Sequence, residues 1–357
     1  MSFVLPHIRN LPRYQTGKAP RPGESAVKLN QNENPYPPSP RVREALLSAD
    51  PAELRLYPGE SVEELRAALA AMHRTVPGQV FIGNGSSEVI SLIMKVFVGA
   101  GGTVSLPDPT FGLYQTAAWA QGAEVCRVPL NSRYEVDVDR VVASGGQAAI
   151  LVNPNAPTGL LLESGRVVEL VSRFRGLVVI DEAYTDFAPA GSSAMELVEK
   201  RANLIVLRTF SKAYSLCGAR VGYCVAAPEL IAALNKGRDI YNVNALSARM
   251  ALASLQDRDY LRETAARIIR TREMYTRRFE GAGFRVLPSS ANFLLCRMPE
   301  EGGAQEALRL YEGLSDQGVY VRYFDYPRLR DKLRITVGTD GEMERLWQVL
   351  ESLMQRV

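Results

Sequence analysis

Short, continuous apolar runs alternate along this chain with longer stretches in which apolar residues recur every three or four positions. The runs are Gln79 to Ile82, Thr103 to Leu106, Glu124 to Val128, Ala148 to Val152, Leu177 to Ile180, Asn203 to Leu207 and Val221 to Ala226. Runs apolar at nearly every position are strands buried on both faces, which implies a mostly parallel sheet between helices. Ser61 to Met72 and Ser86 to Val98 carry the helical period, and Ser61-Val62-Glu63-Glu64 predicts a capping box.

Near Asn242 the pattern changes. A helical tract runs from Ala245 to Phe279 with a break at Gln256-Asp257. Strands at Phe284 to Val286, Asn292 to Cys296, Val319 to Arg322 and Leu333 to Val337 follow, with helices near Ala304 to Gln317 and from Gly341. The expected fold is α/β, a large unit with a mostly parallel sheet flanked by helices plus a smaller α+β C-terminal unit. Residues 1–40 read as an arm, 41–243 as the large domain, and 244–357 as a linking helix and the small domain. The arm is proline-rich, as in Asn34-Pro35-Tyr36-Pro37-Pro38, which opposes helix and favours extended chain. Its apolar residues Phe3, Leu5, Ile8, Leu11 and Tyr14 want cover.

Composition narrows the function. With 357 residues, 46% hydrophobic and 23% charged, the chain can bury a large core. Its 42 basic and 39 acidic residues are too balanced to favour nucleic acid or a membrane surface. No apolar run approaches the roughly 20 residues of a membrane span, and no export signal opens the sequence. The four cysteines form no C-x-x-C pair and there are two histidines, which argues against a zinc site. A cytoplasmic enzyme is expected.

The chemistry lies at the strand ends. Lys212 follows the run ending at Leu207, on a Thr-Phe-Ser-Lys loop; a primary amine there can form an imine with an aldehyde and then move a proton between carbons. Asp181 ends Leu177-Val178-Val179-Ile180. A desolvated carboxylate needs a positive partner, and a protonated pyridine nitrogen is one. Tyr184 and Asn153 are placed to meet a ring hydroxyl. Ser211 and Arg220 flank Lys212 and offer a hydroxyl and a guanidinium fork to a phosphate. Gly83-Asn84-Gly85-Ser86-Ser87 opens a helix and offers backbone N–H groups at its positive end. Glu88 stands where a dinucleotide fingerprint needs its third glycine, which argues against nucleotide binding. Phe111 either stacks on a ring or belongs to the core. Arg334, in the apolar run Leu333 to Val337, and Arg322 meet either a substrate anion or a structural partner. Together these groups are the set pyridoxal 5'-phosphate (PLP) requires.

These residues resemble the fold-type I PLP-dependent aminotransferases, and within them the histidinol-phosphate aminotransferases. The segments carrying the likeness are Lys28-Leu29-Asn30-Gln31-Asn32-Glu33-Asn34-Pro35-Tyr36, Leu56-Tyr57-Pro58, Gly83-Asn84-Gly85-Ser86, Asn153-Pro154-Asn155-Ala156-Pro157-Thr158-Gly159, Asp181-Glu182-Ala183-Tyr184, Ser211-Lys212-Ala213-Tyr214, Asn242-Val243-Asn244 and Leu333-Arg334-Ile335-Thr336-Val337-Gly338-Thr339. The resemblance implies Lys212 as the Schiff-base lysine, Asp181 at the pyridine nitrogen, and Asn153 and Tyr184 at the ring hydroxyl. It implies Gly85, Ser86, Ser87, Ser211 and Arg220 around the cofactor phosphate, with Tyr57 reaching the partner subunit's phosphate in a homodimer. Tyr14, Asn34, Arg322 and Arg334 would hold substrate. Ser87 stands where the family often has Asp, and Phe111 where it often has Tyr.

The implied reaction moves an amino group between L-histidinol phosphate and 2-oxoglutarate, in histidine biosynthesis. An aromatic aminotransferase or an amino-acid phosphate decarboxylase on the same scaffold stays open, because substrate orientation over the ring selects the bond broken. A PLP-sensing DNA-binding module is disfavoured, since the arm is too short and proline-rich for a helix-turn-helix.

Overall fold

The computed structural model describes residues 2–12, 17–21, 23–299 and 303–355. The seven apolar runs form one sheet: β1 (Val80–Gly83), β2 (Thr103–Asp108), β3 (Glu124–Pro129), β4 (Ala148–Val152), β5 (Leu177–Asp181), β6 (Leu204–Thr209) and β7 (Gly222–Ala226). Their order is β1-β7-β6-β5-β4-β2-β3. β2 to β6 pair in parallel, while β7 runs antiparallel to β6 and β1. β4, β5 and β7 are buried along their whole length, as helices on both faces require. One face packs Val89, Ile90, Ile150, Val179 and Ile205 together; the other packs Leu69, Leu151, Val178, Ile180 and Val206. Alternate residues of a strand thus enter opposite cores.

The tract after Asn242 breaks as expected, into helices Ala245–Leu255 and Arg258–Gly281. Asn244 caps the first through Ser247 N at 2.8 Å, and Asp257 caps the second. The second helix joins two cores: Ala265 and Ile268 pack with the large sheet, Tyr275 and Phe279 with a third cluster around Leu294, Ile335, Leu346 and Trp347. That cluster lies on an antiparallel sheet in which Lys332–Thr336 is flanked by Phe293–Arg297 and Arg322–Tyr323, with Arg285–Val286 outermost. The arm joins this unit. Val27–Lys28 pairs in parallel with Val319–Tyr320, and Leu29 is buried in the third cluster.

Two local expectations change. The helix predicted from Ser61 begins at Glu60 with Gly59 as its N-cap and no side-chain cap bond. The Tyr57-Pro58-Gly59 turn delivers the chain early and leaves Ser61 inside the first turn. The capping box forms instead at Thr339 and Glu342, whose carboxylate meets Thr339 N at 2.7 Å. The helix predicted to Val98 is α-helical over Ser86–Ile93 and widens into a π-turn over Met94–Val98.

His73 and Tyr223 lock the helix Glu60–Met72 to β7, with His73 Nε2 2.9 Å from the Tyr223 hydroxyl. Burial, aided by Arg208 and Arg258, lowers the His73 pKa to about 3. The native state thus takes its proton far less readily than the unfolded chain. Stability from this group is full above its ordinary value near 6.5 and falls as pH drops. The expected loss between neutral pH and pH 5 is about 2 kcal/mol. His73→Gln should flatten that acid limb in denaturant titrations; an unchanged limb would remove His73 as its source.

Candidate active site

The C-terminal ends of β4, β5 and β6 open onto a cavity of about 560 Å³, where open α/β sheets place their ligands. Lys212, Asp181, Tyr184, Ser211, Arg220, Ser86, Ser87, Phe111, Arg322 and Arg334 all line it. The cavity wall draws on three regions: the large sheet, the four-stranded sheet, and the Asn30 to Glu33 stretch.

Asp181 is the last residue of β5 and is 3% exposed. Its Oδ1 accepts from Ala183 N at 3.0 Å, and its Oδ2 accepts from the fully buried Tyr114 hydroxyl at 2.7 Å. Burial pushes its pKa up to about 6, against the lowering effect of these hydrogen bonds. The group is thus a desolvated acid held in place, and a cation in the cavity would keep it ionised. Behind it, Glu182 is 1% exposed and pairs with Arg208 at 3.0 Å.

Lys212 sits in a loop whose backbone is pinned from outside. Asn34 Nδ2 donates to the Lys212 and Ala213 carbonyls at 3.2 and 3.0 Å, and Lys212 Nζ donates to Gln31 O at 3.0 Å. Asn34, expected to hold substrate, is not among the residues lining the central cavity. Its amide is spent on this loop and on its own turn, where Oδ1 accepts from Tyr36 N.

The amide of Asn153, the residue expected at a ring hydroxyl, brackets Leu162, accepting from Leu162 N at 2.8 Å and donating to Leu162 O at 3.3 Å. It lies outside the central cavity; Ala156 and Pro157 are the residues of that loop that line it. Asn153→Ala should leave cofactor affinity unchanged while lowering stability by about 1–2 kcal/mol, measured by equilibrium dialysis and thermal melts. Tyr184 does line the cavity. Its hydroxyl accepts from Asn32 Nδ2 at 2.9 Å, which leaves its own proton to donate. Asn32 is itself buried at φ 55 and held by Thr336 and Asn292. Sequence reasoning missed Asn32 and Tyr114. The buried segment around Asn32 was visible as a motif, but its contact to Tyr184 was not.

A cup forms where the helix Ser86–Ile93 begins. Gly85, at φ +78, caps the helix Ser86–Ile93. A Cβ there would lie 2.3 Å from Arg220 Nη2, so only glycine lets the guanidinium cover the helix end. Arg220 Nη1 donates to Cys217 O at 3.1 Å and Ser211 Oγ at 3.4 Å. A Cβ on Gly222 would meet Ser86 N at 2.2 Å. Glu88 turns away from the cup, accepting from Asn84 N at 2.5 Å and Asn242 Nδ2 at 2.8 Å. Amide donors, two serines and an arginine at a helix N-terminus fit a phosphate monoester. Gly85→Ala should weaken binding of PLP about 10- to 100-fold by displacing Arg220, read by equilibrium dialysis.

Arg322 and Arg334 also line the cavity and stand directly across from each other in adjacent strands. Both guanidinium groups lie over Phe324, at 4.9 and 5.4 Å from its ring centre. Arg334 also covers Phe293 at 5.3 Å and donates to Asn30 O at 2.9 Å. Two like charges sharing one ring repel, and an anion between them relieves that repulsion. Phe111 lines the wall edge-on to Tyr114. Tyr57 stands apart, 79% exposed and stacked on Tyr241 at 4.6 Å. Tyr14 lies outside the described residues.

Residues 24–350 match the model of aminotransferase class I and II. The chain belongs to that family. It is 43% identical over 345 residues to histidinol-phosphate aminotransferase 2 of Thiobacillus denitrificans, covering 95% of this chain and 94% of the relative. It is 37% identical over 354 residues to histidinol-phosphate aminotransferase 1 of Trichormus variabilis, covering 99% of each. The histidinol-phosphate aminotransferase of Sinorhizobium meliloti, solved in complex with pyridoxal-5'-phosphate, superposes with a TM-score of 0.91 at 27% identity, covering 100% of this chain and 98% of that one. No helix among the described residues is long and apolar enough to cross a membrane.

Proposed function

We propose that this aminotransferase uses PLP to move an amino group between L-histidinol phosphate and 2-oxoglutarate. The observation that carries the reading is one cavity lined by a lysine amine, a buried carboxylate, a cup of serines and an arginine at a helix N-terminus, and two further arginines. The names of the full-length relatives support the substrate. PLP, when bound, supplies an electron sink at the substrate carbon. The protein's residues do the rest. Asp181 would hold the ring nitrogen protonated, and Tyr184 would donate to the ring oxygen. Ser211, Arg220 and the amides after Gly85 would hold the phosphate. Lys212 would anchor the cofactor and move the proton. Arg322 and Arg334 can take either the alcohol phosphate of one substrate or a carboxylate of the other.

A homodimer, in the cytoplasm, belongs to the same proposal. Tyr57, Leu54, Leu56, Ile240 and Tyr241 are all exposed, an apolar surface suited to a second copy. Sedimentation of the purified protein tests it, and a monomer at micromolar concentration would count against it.

The deciding experiment is stopped-flow spectroscopy of the PLP-loaded protein. L-Histidinol phosphate should change the cofactor's visible absorbance, and 2-oxoglutarate should restore it. Response to tyrosine or phenylalanine instead would move the substrate to aromatic amino acids. Release of carbon dioxide without amino transfer would mean decarboxylation.

A further inference from the structure

The hairpin between Arg322–Tyr323 and Lys332–Thr336 does more than connect two strands. Its tip leaves the four-stranded sheet and grips the large sheet at the ends of β2 and β3. Tyr326 Oη donates to Asp108 Oδ2 at 2.6 Å. Arg328 donates from Nη1 to Leu130 O and from Nη2 to Asn131 O, each at 2.6 Å. Tyr134 Oη donates back to Arg328 O at 2.6 Å, and the Arg328 guanidinium lies 4.4 Å over the Tyr134 ring. Leu130 N bonds Asp108 O at 3.0 Å, so the grip spans two strand ends already tied together.

Both sides of this grip lead straight into the active cavity. On the large-sheet side, Asp108 ends β2, and Phe111, three residues on, lines the cavity. Thr110 and the Pro109 carbonyl bond Asn155, which fixes that loop. On the hairpin side, Tyr326 is two residues from Phe324, the ring that carries both Arg322 and Arg334. Burial and the bond to Asp108 raise the Tyr326 phenol above its ordinary value, so it stays a donor through ordinary assay pH.

We propose that Tyr326 and Asp108 are positioning residues that set the distance between the substrate-anion arginines and the cofactor end of the cavity. Neither is among the residues lining the central cavity. Their action is through Phe324 on one side and the Phe111 loop on the other. A substrate gripped by its anion and reacting at the Lys212 end must span a fixed gap. Misplacing one end by about 1 Å costs on the order of 10² in rate. The inference rests on the proposed use of Arg322 and Arg334 for substrate anions.

The test is Tyr326→Phe, Asp108→Asn and the double variant in PLP-loaded protein. Each is compared on L-histidinol phosphate and on L-histidinol, which lacks the phosphate. In each single variant kcat/KM for the phosphate substrate should fall about tenfold, while the slow rate with L-histidinol and the dissociation constant of PLP stay at wild-type values. The double variant should lose no more than the worse single one, because the two residues share one bond. Equal losses on both substrates, additive losses, or no loss would each overturn the positioning role. A second readout separates this from the substrate assignment: single-turnover reaction with L-glutamate, whose carboxylates call on the same arginines. If L-histidinol phosphate proves inert with the wild type, the substrate reading fails. The glutamate step, slowed about tenfold or unaffected in Tyr326→Phe, then decides the positioning role alone.

Discussion

Lys212→Ala should keep its fold and lose transamination by at least about 10⁴-fold in kcat, the upper range for loss of one positioned proton-transfer group. In the proposed function the lysine would also be the cofactor's covalent anchor, so the loss should not fall short of that range. The loop survives because its bonds are backbone bonds. Phe210 N meets Val221 O, Leu216 N meets Phe210 O, and Ser215 N meets Lys212 O. Asn34 holds the carbonyls of Lys212 and Ala213, not the side chain. The melting temperature should therefore shift little. The purified variant should still bind PLP through the phosphate cup, with its visible absorbance displaced toward that of the free aldehyde. Lys212→Arg is the control for charge: a guanidinium stays protonated and is no nucleophile at assay pH, so it should fail equally. A Lys212→Ala protein retaining a hundredth of wild-type kcat would place the amine elsewhere.

The inner sheet was legible because strands buried on both faces leave few polar positions; β3, at the edge with Glu124 and Arg127 exposed, became a strand as well. Strand-end chemistry was legible for the same reason. Once Leu177 to Ile180 is a buried strand, Asp181 must emerge at its C-terminal end beside the loop after β6. Loops are different. Asn153-Pro154-Asn155-Ala156-Pro157 offers two asparagines at an equally suitable distance from the strand end, and spacing does not say which residue faces inward. The structure turns Asn153 onto Leu162 and Asn155 onto Thr158 and Pro109, leaving Ala156 at the cavity. Tyr114 was hidden for another reason. It reads as one more apolar residue of the helix Leu113–Ala120, and its hydroxyl acquires meaning only because β2 and β5 flank β4 in the sheet. Asn34 shows the same limit: spacing does not reveal that a polar residue in a recognisable motif holds the backbone of the Lys212 loop.

Asp181→Asn should separate what this carboxylate costs the fold from what it gives the reaction. In the cofactor-free protein its pKa is raised by burial to about 6, with the bonds from Tyr114 and Ala183 N opposing. A raised carboxylate pKa means the native state holds a proton that the unfolded chain has already released. Stability of the cofactor-free protein therefore falls as pH rises from about 4 to about 6, then levels off. Asparagine removes the charge and keeps an acceptor for Ala183 N, while its amide can donate to a reoriented Tyr114 hydroxyl. At pH 7 the cofactor-free variant should be more stable than wild type by about 2–3 kcal/mol, and the slope between pH 4 and 6 should disappear. Activity should move the other way. Without a carboxylate to hold the ring nitrogen protonated, kcat with PLP should fall about 10³-fold, the scale for losing a preorganised electrostatic partner. Denaturant titrations across pH, without and with PLP, measure the first effect; stopped-flow turnover measures the second. PLP should stabilise wild type more than the variant, since in wild type the ring's cation pairs with a charge that burial had made costly. A variant that is less stable without cofactor would mean that Asp181 is buried for the fold, with its charge already compensated by the protein.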